Sequence, residues 1–253
     1  LWKLGQPIEG FEASSSSAWT PALPLPSGTI PSPLGGRDII VIRGVDGTDV
    51  KVIQHPGGNP PGSADLKVTV GSGLQDNDIV LVTDCLAAAV FQITNVNTSA
   101  NQDNVVHNTG NATAPGNSTK NLGKEFTGGE LIKISTRSYF IRMNSNPTPF
   151  PSLYRKVGAS NAEELVEGVE DMQIEYGEDL DGNSTADIYR TADAVTNWAE
   201  VVSVRISLLM QSLENNVATD AQTYTFNGTT ITPNDRRLRQ VFTTVVTLRN
   251  RTS

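Results

Sequence analysis

Short runs of apolar residues with a period of two recur along this chain, and turn residues separate them. Val and Ile dominate these runs, and Gly, Asn or Asp bounds most of them, which is the pattern of β-strands joined by tight turns. The pattern predicts strands at 38–43, 49–54, 66–70, 78–83, 90–96, 130–136, 138–143 and 153–157. The first half of the chain should therefore form a meandering antiparallel sheet.

The pattern changes after residue 158, where the spacing favours a helix. Ser160 and Glu163 stand three residues apart, as in a capping box whose side chains satisfy the free N–H groups of a first helical turn. The apolar residues that follow are spaced for one helical face: Leu165, Val166, Val169 and Met172. From Met172 onward apolar and polar residues alternate, so we expect a short helix that continues directly into a strand. A second short helix is predicted at 193–198.

Three further β elements are predicted in the last fifty residues. Residues 202–208 alternate as a long central strand, and residues 240–248 as the last strand. Between them, 222–226 and 229–232 predict a hairpin around Asn227-Gly228. Together the elements predict an α+β fold of mainly antiparallel sheet with short helices, as one domain at 37–253.

Two segments lack this periodicity. Residues 1–36 are rich in Pro and Ser and predict an N-terminal strap, on which Trp2 or Trp19 packs against the domain. Residues 97–129 are almost entirely polar and predict a long surface excursion within the domain.

The charge balance limits the kinds of partner. Lys and Arg number 19 against 27 Asp and Glu, which gives a formal net charge of −8. Phosphate binding needs a concentrated basic face, so we expect no direct nucleic-acid binding. The chain also contains no run of about 18 apolar residues, the length that spans a bilayer.

Side chains suited to catalysis are scarce. His55 and His107 are the only histidines, and both stand in loops rich in Gly, Pro or Asn, so we predict solvated loop residues. With one cysteine the chain can hardly build a zinc site or a Cys-His pair. Phosphate-binding glycine motifs are absent, and aromatic residues are too few, at 6%, for a sugar-binding cleft. We therefore predict no enzyme, no catalytic residues and no cofactor-binding residues.

Cys85 stands alone, among the apolar residues 86–91. One interpretation is a buried and inert thiol. The other is a disulfide whose partner lies in a part of the protein outside this sequence.

One segment has the spacing of a calcium-binding loop. Asp179, Asp181 and Asn183 stand at positions 1, 3 and 5, Thr185 at 7 offers its carbonyl, and Asp187 stands at 9. Calcium takes about six to eight oxygen ligands, and alternating carboxylates in a tight loop supply them. The glycine falls at position 4, however, and Arg190 occupies position 12, so Glu178 or another loop would have to complete the ligand set. An ordinary acidic hairpin turn is the alternative, because Asp-Gly and Asn favour turns without a metal.

Four segments resemble one family in order along the chain. They are TDCLAAAVFQITNV at 83–96, YFIRMNSNPTPFPSLYR at 139–155, the segment from LVEGVEDMQIEYGEDLDGN onward at 165–210, and RQVFTTVVTLRNR at 239–251. The chain resembles the soluble part of PilW, a minor pilin of type IV pili. The resemblance implies a pilin-like globular domain whose apolar N-terminal helix precedes Leu1 in the intact protein and lies against its sheet.

The resemblance also implies a role in assembly. A PilW-like minor pilin would be trimmed by prepilin peptidase and held in the inner membrane by its helix, with the globular domain in the periplasm. It would then join other minor pilins, the major pilin and a PilY-type tip adhesin in a complex that primes pilus assembly, sits at the pilus tip outside the cell, and supports twitching motility, adhesion and DNA uptake. A J-type minor pseudopilin of type II secretion and a secreted calcium-dependent adhesion module are the alternatives.

Overall fold

Strands and turns make up the described part of the chain. The computed structural model describes residues 5–23, 30–58, 61–158 and 160–248. The strands are β1 (Ile8–Ala13), β2 (Trp19–Thr20), β3 (Ile39–Gln54), β4 (Asp65–Val68), β5 (Ile79–Thr83), β6 (Ala88–Gln92), β7 (Asn95–Thr98), β8 (Asp103–Val106), β9 (Glu130–Met143), β10 (Pro151–Val157), β11 (Glu163–Glu167), β12 (Val169–Glu178), β13 (Ile188–Arg190), β14 (Val201–Gln211), β15 (Tyr224–Phe226), β16 (Thr229–Ile231) and β17 (Arg239–Thr247). Within those residues the structure contains no helix of the length and apolarity needed to cross a bilayer.

The chain divides into two compact units. One unit, the inserted unit, holds residues 43–136. The other, the two-segment unit, combines residues up to 42 with residues from 137 onward. The strands β3 and β9 each contribute one part to either unit, because the boundaries fall inside them.

The inserted unit is built on two groups of antiparallel strands. In one group β4 pairs with β3 and β8, and β8 pairs with β7. In the other, β5 pairs with β6 and with the first half of β9. Side chains that alternate along these strands form one core, made of Val50, Val52, Leu66, Val68, Leu74, Val80, Val82, Phe91, Ile93, Val105, Phe126 and Leu131.

The two-segment unit has two packed layers. The sheet β13-β12-β14-β17 is antiparallel throughout, and β14 is its longest strand. Its apolar face packs against Ile8, Ile40 and Ile141, from β1, β3 and β9. The neighbouring residues Val41 and Phe140 point the other way, into a second core with Tyr154. The strands β3 and β9 are thus buried on both faces, which explains their continuous apolar runs.

The predicted helices are wrong, and with them the α+β class: the described chain is all-β. Residues 163–167 form β11, which pairs with β10, and the Glu163 carboxylate lies 2.7 Å from Arg155 Nη2 instead of capping a helix. At Gly168, with a φ of +80°, the chain leaves β11 and enters β12, which pairs with β14 in a different sheet. The segment 193–198 forms turns. Pairing of β11 with the preceding strand β10, and of β12 with β14, which begins only at Val201, therefore overrides a locally helical pattern.

Several strand predictions are confirmed. The central strand is β14, the last strand is β17, and β15 and β16 form the hairpin around Asn227-Gly228, where both residues have positive φ. The strands predicted at 38–43 and 49–54 form one continuous strand, β3, and those predicted at 130–136 and 138–143 form another, β9. The sequence also predicts Arg155 and Arg249 as ion partners of carboxylates on adjacent strands. The Arg155–Glu163 pair confirms this for Arg155, whereas Arg249 lies outside the described residues.

The two segments without periodicity contain more structure than their composition suggests. Residues 8–13 of the N-terminal segment form β1, and Trp19 packs against the second core while its Nε1 donates to the Arg37 carbonyl at 2.9 Å. Trp2 lies outside the described residues. The polar tract 97–129 includes β8 and the buried side chains of Val105, His107 and Phe126.

Candidate calcium loop

The candidate calcium loop joins β12 to β13 in the two-segment unit. Its ends are closed by the hairpin pairs Gly177 with Tyr189 and Glu178 with Ile188. One carboxylate oxygen from each of Asp179, Asp181 and Asp187 lies within 4.8 Å of the other two. The structure thus gathers the three carboxylates whose spacing suggested the site.

Backbone N–H groups already bind these carboxylates. Asp179 Oδ1 accepts from Gly182 N at 2.8 Å and from Asn183 N at 3.2 Å, and Asp179 Oδ2 accepts from Ser184 N at 2.7 Å. Desolvation raises the pKa of Asp179, but these N–H groups lower it more, so the net pKa lies below the usual value. The loop therefore has the contacts of an acidic turn that holds itself together.

The remaining candidate ligands are less available. Asn183 Oδ1 accepts from Thr185 N at 2.8 Å, and its Nδ2 donates to Asp181 Oδ2 at 2.9 Å. Asp187 Oδ2 accepts from Leu180 N at 2.7 Å. A calcium ion would have to compete with these bonds or use the free lone pairs of the same oxygens.

Glu178 does not complete the ligand set. Its buried Oε1 accepts from Thr196 N, Thr196 Oγ1 and Asn197 N at 2.8–2.9 Å, and its Oε2 lies 2.7 Å from Arg190 Nε. Desolvation raises the pKa of Glu178, yet the bonds from Asn197 and Thr196 and the charge of Arg190 bring it below the usual value. Glu178 thus anchors the turn at 193–198, and Arg190, at position 12, neutralises Glu178.

The predicted exposure of the histidines is wrong. In the inserted unit His55 and His107 are buried, with ring centroids 6.0 Å apart, and Phe91 and Phe126 lie against them. Phe126 N donates to His55 Nδ1 at 3.3 Å, whereas neither ring nitrogen of His107 has a hydrogen-bond partner among the described residues. Desolvation, together with the charge of His55, lowers the pKa of His107 to about 4. Desolvation also lowers the pKa of His55. The one indication of this burial in the sequence was the apolar Val105-Val106 pair directly before His107.

A group of buried acids in the two-segment unit was also missed. Asp38 accepts from Ala13 N at 3.0 Å and from Ile174 N at 2.8 Å. Burial raises the pKa of Asp38 to about 6 and that of Glu12 to about 7. The buried Tyr176 hydroxyl has no hydrogen-bond partner among the described residues.

Cys85 is exposed, so the interpretation as a buried thiol is wrong. It sits at a φ of +66° in the turn between β5 and β6, where its N–H donates to Thr83 Oγ1 at 3.2 Å. Its neighbour Leu86 is 88% exposed. The apolar residues around Cys85 thus belong to a surface turn.

Comparison with protein families supplies the remaining evidence. Residues 138–250 match the family model PilW, described as Type IV Pilus-assembly protein W. The match covers the second segment of the two-segment unit and includes β10 to β17 with the acidic loop. Comparison with curated proteins and with solved structures gave no match. Residues 138–250 of the chain are therefore PilW-like, that is, similar to type IV pilus-assembly proteins.

Proposed function

We propose that this protein is a minor pilin that helps to prime type IV pilus assembly and forms part of the pilus tip complex. It acts by binding other subunits rather than by catalysis, and it supports twitching motility, adhesion and DNA uptake. Before assembly it is held in the inner membrane with its globular part in the periplasm, and afterwards it lies in the pilus. The match to the PilW family supports this assignment.

A half-covered apolar surface in the matched region carries the proposal. On β14 the side chains of Ile206, Leu208 and Met210 are only partly buried, and on β17 Phe242 is 50% and Val246 47% exposed. Leu208 pairs with Phe242, and Val204 with Val246, so all these residues lie on one face of the sheet. We call this set the β17 stripe.

The β17 stripe fits an apolar helix. It continues the apolar face that forms the core of the two-segment unit, beyond the part that β1, β3 and β9 cover. An exposed apolar patch of this kind is typical of a binding surface. The partner we propose is the apolar helix of a pilin, and the further partners are other minor pilins, the major pilin and a PilY-type adhesin, with prepilin peptidase acting on the precursor.

Complementation of a deletion strain tests the proposal. The double variant Phe242→Ser/Val246→Ser removes the apolar side chains that β17 contributes to the β17 stripe. Val241→Ser/Val245→Ser is the matched control, because these residues are 37% and 50% exposed on the opposite face of the same strand. We expect few surface pili with the stripe variant and normal numbers with the control, provided that both proteins accumulate to wild-type levels. Normal piliation with the stripe variant would contradict the proposal.

A further inference from the structure

The strand β17 ends its sheet. All of its residues from Arg239 to Thr247 pair with β14 along one edge, in register from Gln211 to Ser203. Among residues 5–23, 30–58, 61–158 and 160–248, no strand pairs with its other edge. Every residue from 240 to 247 is exposed. The outer edge of β17 therefore offers a row of backbone groups that another strand can bind.

This edge lacks the features that normally block strand pairing. Residues 240–247 include no charged residue, no proline and no glycine. Two other strands at the ends of their sheets do carry such features. Three of the five residues of β11 are glutamate, and β13 is only three residues long. Charge and shortness are the usual protection of edge strands, so this chain protects two edges and leaves β17 open.

The composition of β17 identifies the partner strand. An uncharged partner strand matches β17 best, because residues 240–247 offer no charged side chain with which a charged partner could pair. A second copy of β17 meets this requirement. Related by a two-fold axis at Thr243 or Thr244, two copies would pair antiparallel and place Val241 and Phe242 near Val245 and Val246 of the other copy. Aromatic and β-branched residues are favourable cross-strand neighbours, and no like charges would meet.

We propose that two copies of this protein associate through antiparallel pairing of their β17 edges, which joins two four-stranded sheets into one. The contact is made by the backbone edge of β17 and not by the face that carries the β17 stripe, although Phe242 and Val246 of the stripe lie beside it. It does not depend on the function proposed above. A nine-residue strand is about 30 Å long, which makes this a small interface. The dimer should therefore be reversible and depend on concentration.

Sedimentation velocity over a range of concentrations tests this proposal. Thr243→Lys places two like charges beside the axis, on the face opposite the β17 stripe, whereas Thr229→Lys adds the same charge to the exposed hairpin strand β16. We expect wild type and Thr229→Lys to dimerise with similar dissociation constants, and Thr243→Lys to weaken the dimer at least tenfold. A wild-type protein that stays monomeric, or a folded Thr243→Lys variant that dimerises like wild type, would overturn the proposal.

Disulfide trapping gives a second readout that needs no destabilising charge. In a Cys85→Ala background, Thr243→Cys and Thr244→Cys each place a thiol at the axis, where facing Cα atoms are about 4.5–5.5 Å apart and can form a disulfide. We expect one of them to form covalent dimers much faster than Thr229→Cys. Equal rates for all three variants would overturn the proposal even if the lysine variant failed to fold.

Discussion

Replacing His107 with leucine should reduce the acid sensitivity of the inserted unit. His107 is buried next to His55, and neither of its ring nitrogens has a hydrogen-bond partner in the described part of the chain, so the folded protein holds it neutral. Its pKa is about 4 in the folded state and about 6.5 when the chain unfolds. Between these values the unfolded state binds more protons, so stability falls as the pH falls from 6.5 towards 4.

The magnitude follows from the gap between the two pKa values. A gap of about 2.5 at about 1.4 kcal/mol for each pKa unit gives about 3.5 kcal/mol, which is fully present well above pH 6.5. About 3 kcal/mol of it is lost between pH 6.5 and pH 4, and the rest below pH 4. Leucine has a similar size, carries no charge and leaves no buried donor or acceptor unpaired. The free energy of unfolding of wild type minus that of His107→Leu should therefore fall by about 3 kcal/mol between pH 6.5 and pH 4.

The assay must follow the inserted unit separately. Residues 43–136 contain no tryptophan or tyrosine, but they contain the exposed Cys85, which can carry a fluorescent label for urea unfolding. Trp19 and Trp198 report on the two-segment unit in the same sample. A difference between wild type and variant that stays constant from pH 7 to pH 4 would refute the reasoning, because His107 would then not be a buried neutral side chain.

The two-segment unit supplies an internal contrast. Burial raises the pKa values of Glu12, to about 7, and Asp38, to about 6. A carboxyl group with a raised pKa keeps its proton in the folded state, so its contribution is fully present below its unfolded pKa and is lost as the pH rises through 6 to 7. The tryptophan signal should therefore show the opposite pH trend from the label on Cys85.

Three further predictions concern single sites. Gly10→Ala should destabilise the two-segment unit by about 1–3 kcal/mol in urea unfolding, because its Cβ would lie 2.2 Å from the buried Tyr176 hydroxyl, whereas Gly44→Ala, which meets open space, should change little. Cys85 should react with a maleimide in the native protein nearly as fast as in urea, and strong protection would contradict its exposure. Calcium at millimolar concentration should raise the melting temperature of wild type but not of Asp179→Asn; an unchanged melting temperature and no heat in calorimetry would leave the loop as an acidic turn.

The sequence was a good guide where short-range chemistry decides. The Asn227-Gly228 turn and the alternation along β14 and β17 follow from local conformational preference and from burial of one face, so their positions were predictable. The strand β11, where we predicted a helix that starts near residue 160, was not predictable in this way. Its apolar spacing was compatible with a helix and does not show that its backbone pairs with β10 as a hairpin. The change of sheet at Gly168 depends on β14, which is distant in the sequence.

The candidate site was likewise predictable only in part. Spacing alone identified Asp179, Asp181 and Asp187, because a tight loop brings nearby residues together. The same spacing could not assign Glu178, whose partners Thr196 and Asn197 come from a different turn. The buried histidines were hidden for a similar reason: their loops are polar in composition, and the burial comes from Phe91 and Phe126.

The insertion of residues 43–136 within the two-segment unit has a consequence for the order of folding. During synthesis the inserted unit emerges complete by residue 136, and its strand pairs are mostly close in sequence. The first 42 residues leave the ribosome earlier, but the strands β12 and β14 that cover Ile8 and Ile40 are made more than a hundred residues later. Contacts of such high sequence separation form slowly. The strand β1 and the first residues of β3 must therefore wait, with their apolar faces open, until β12 and β14 have been made.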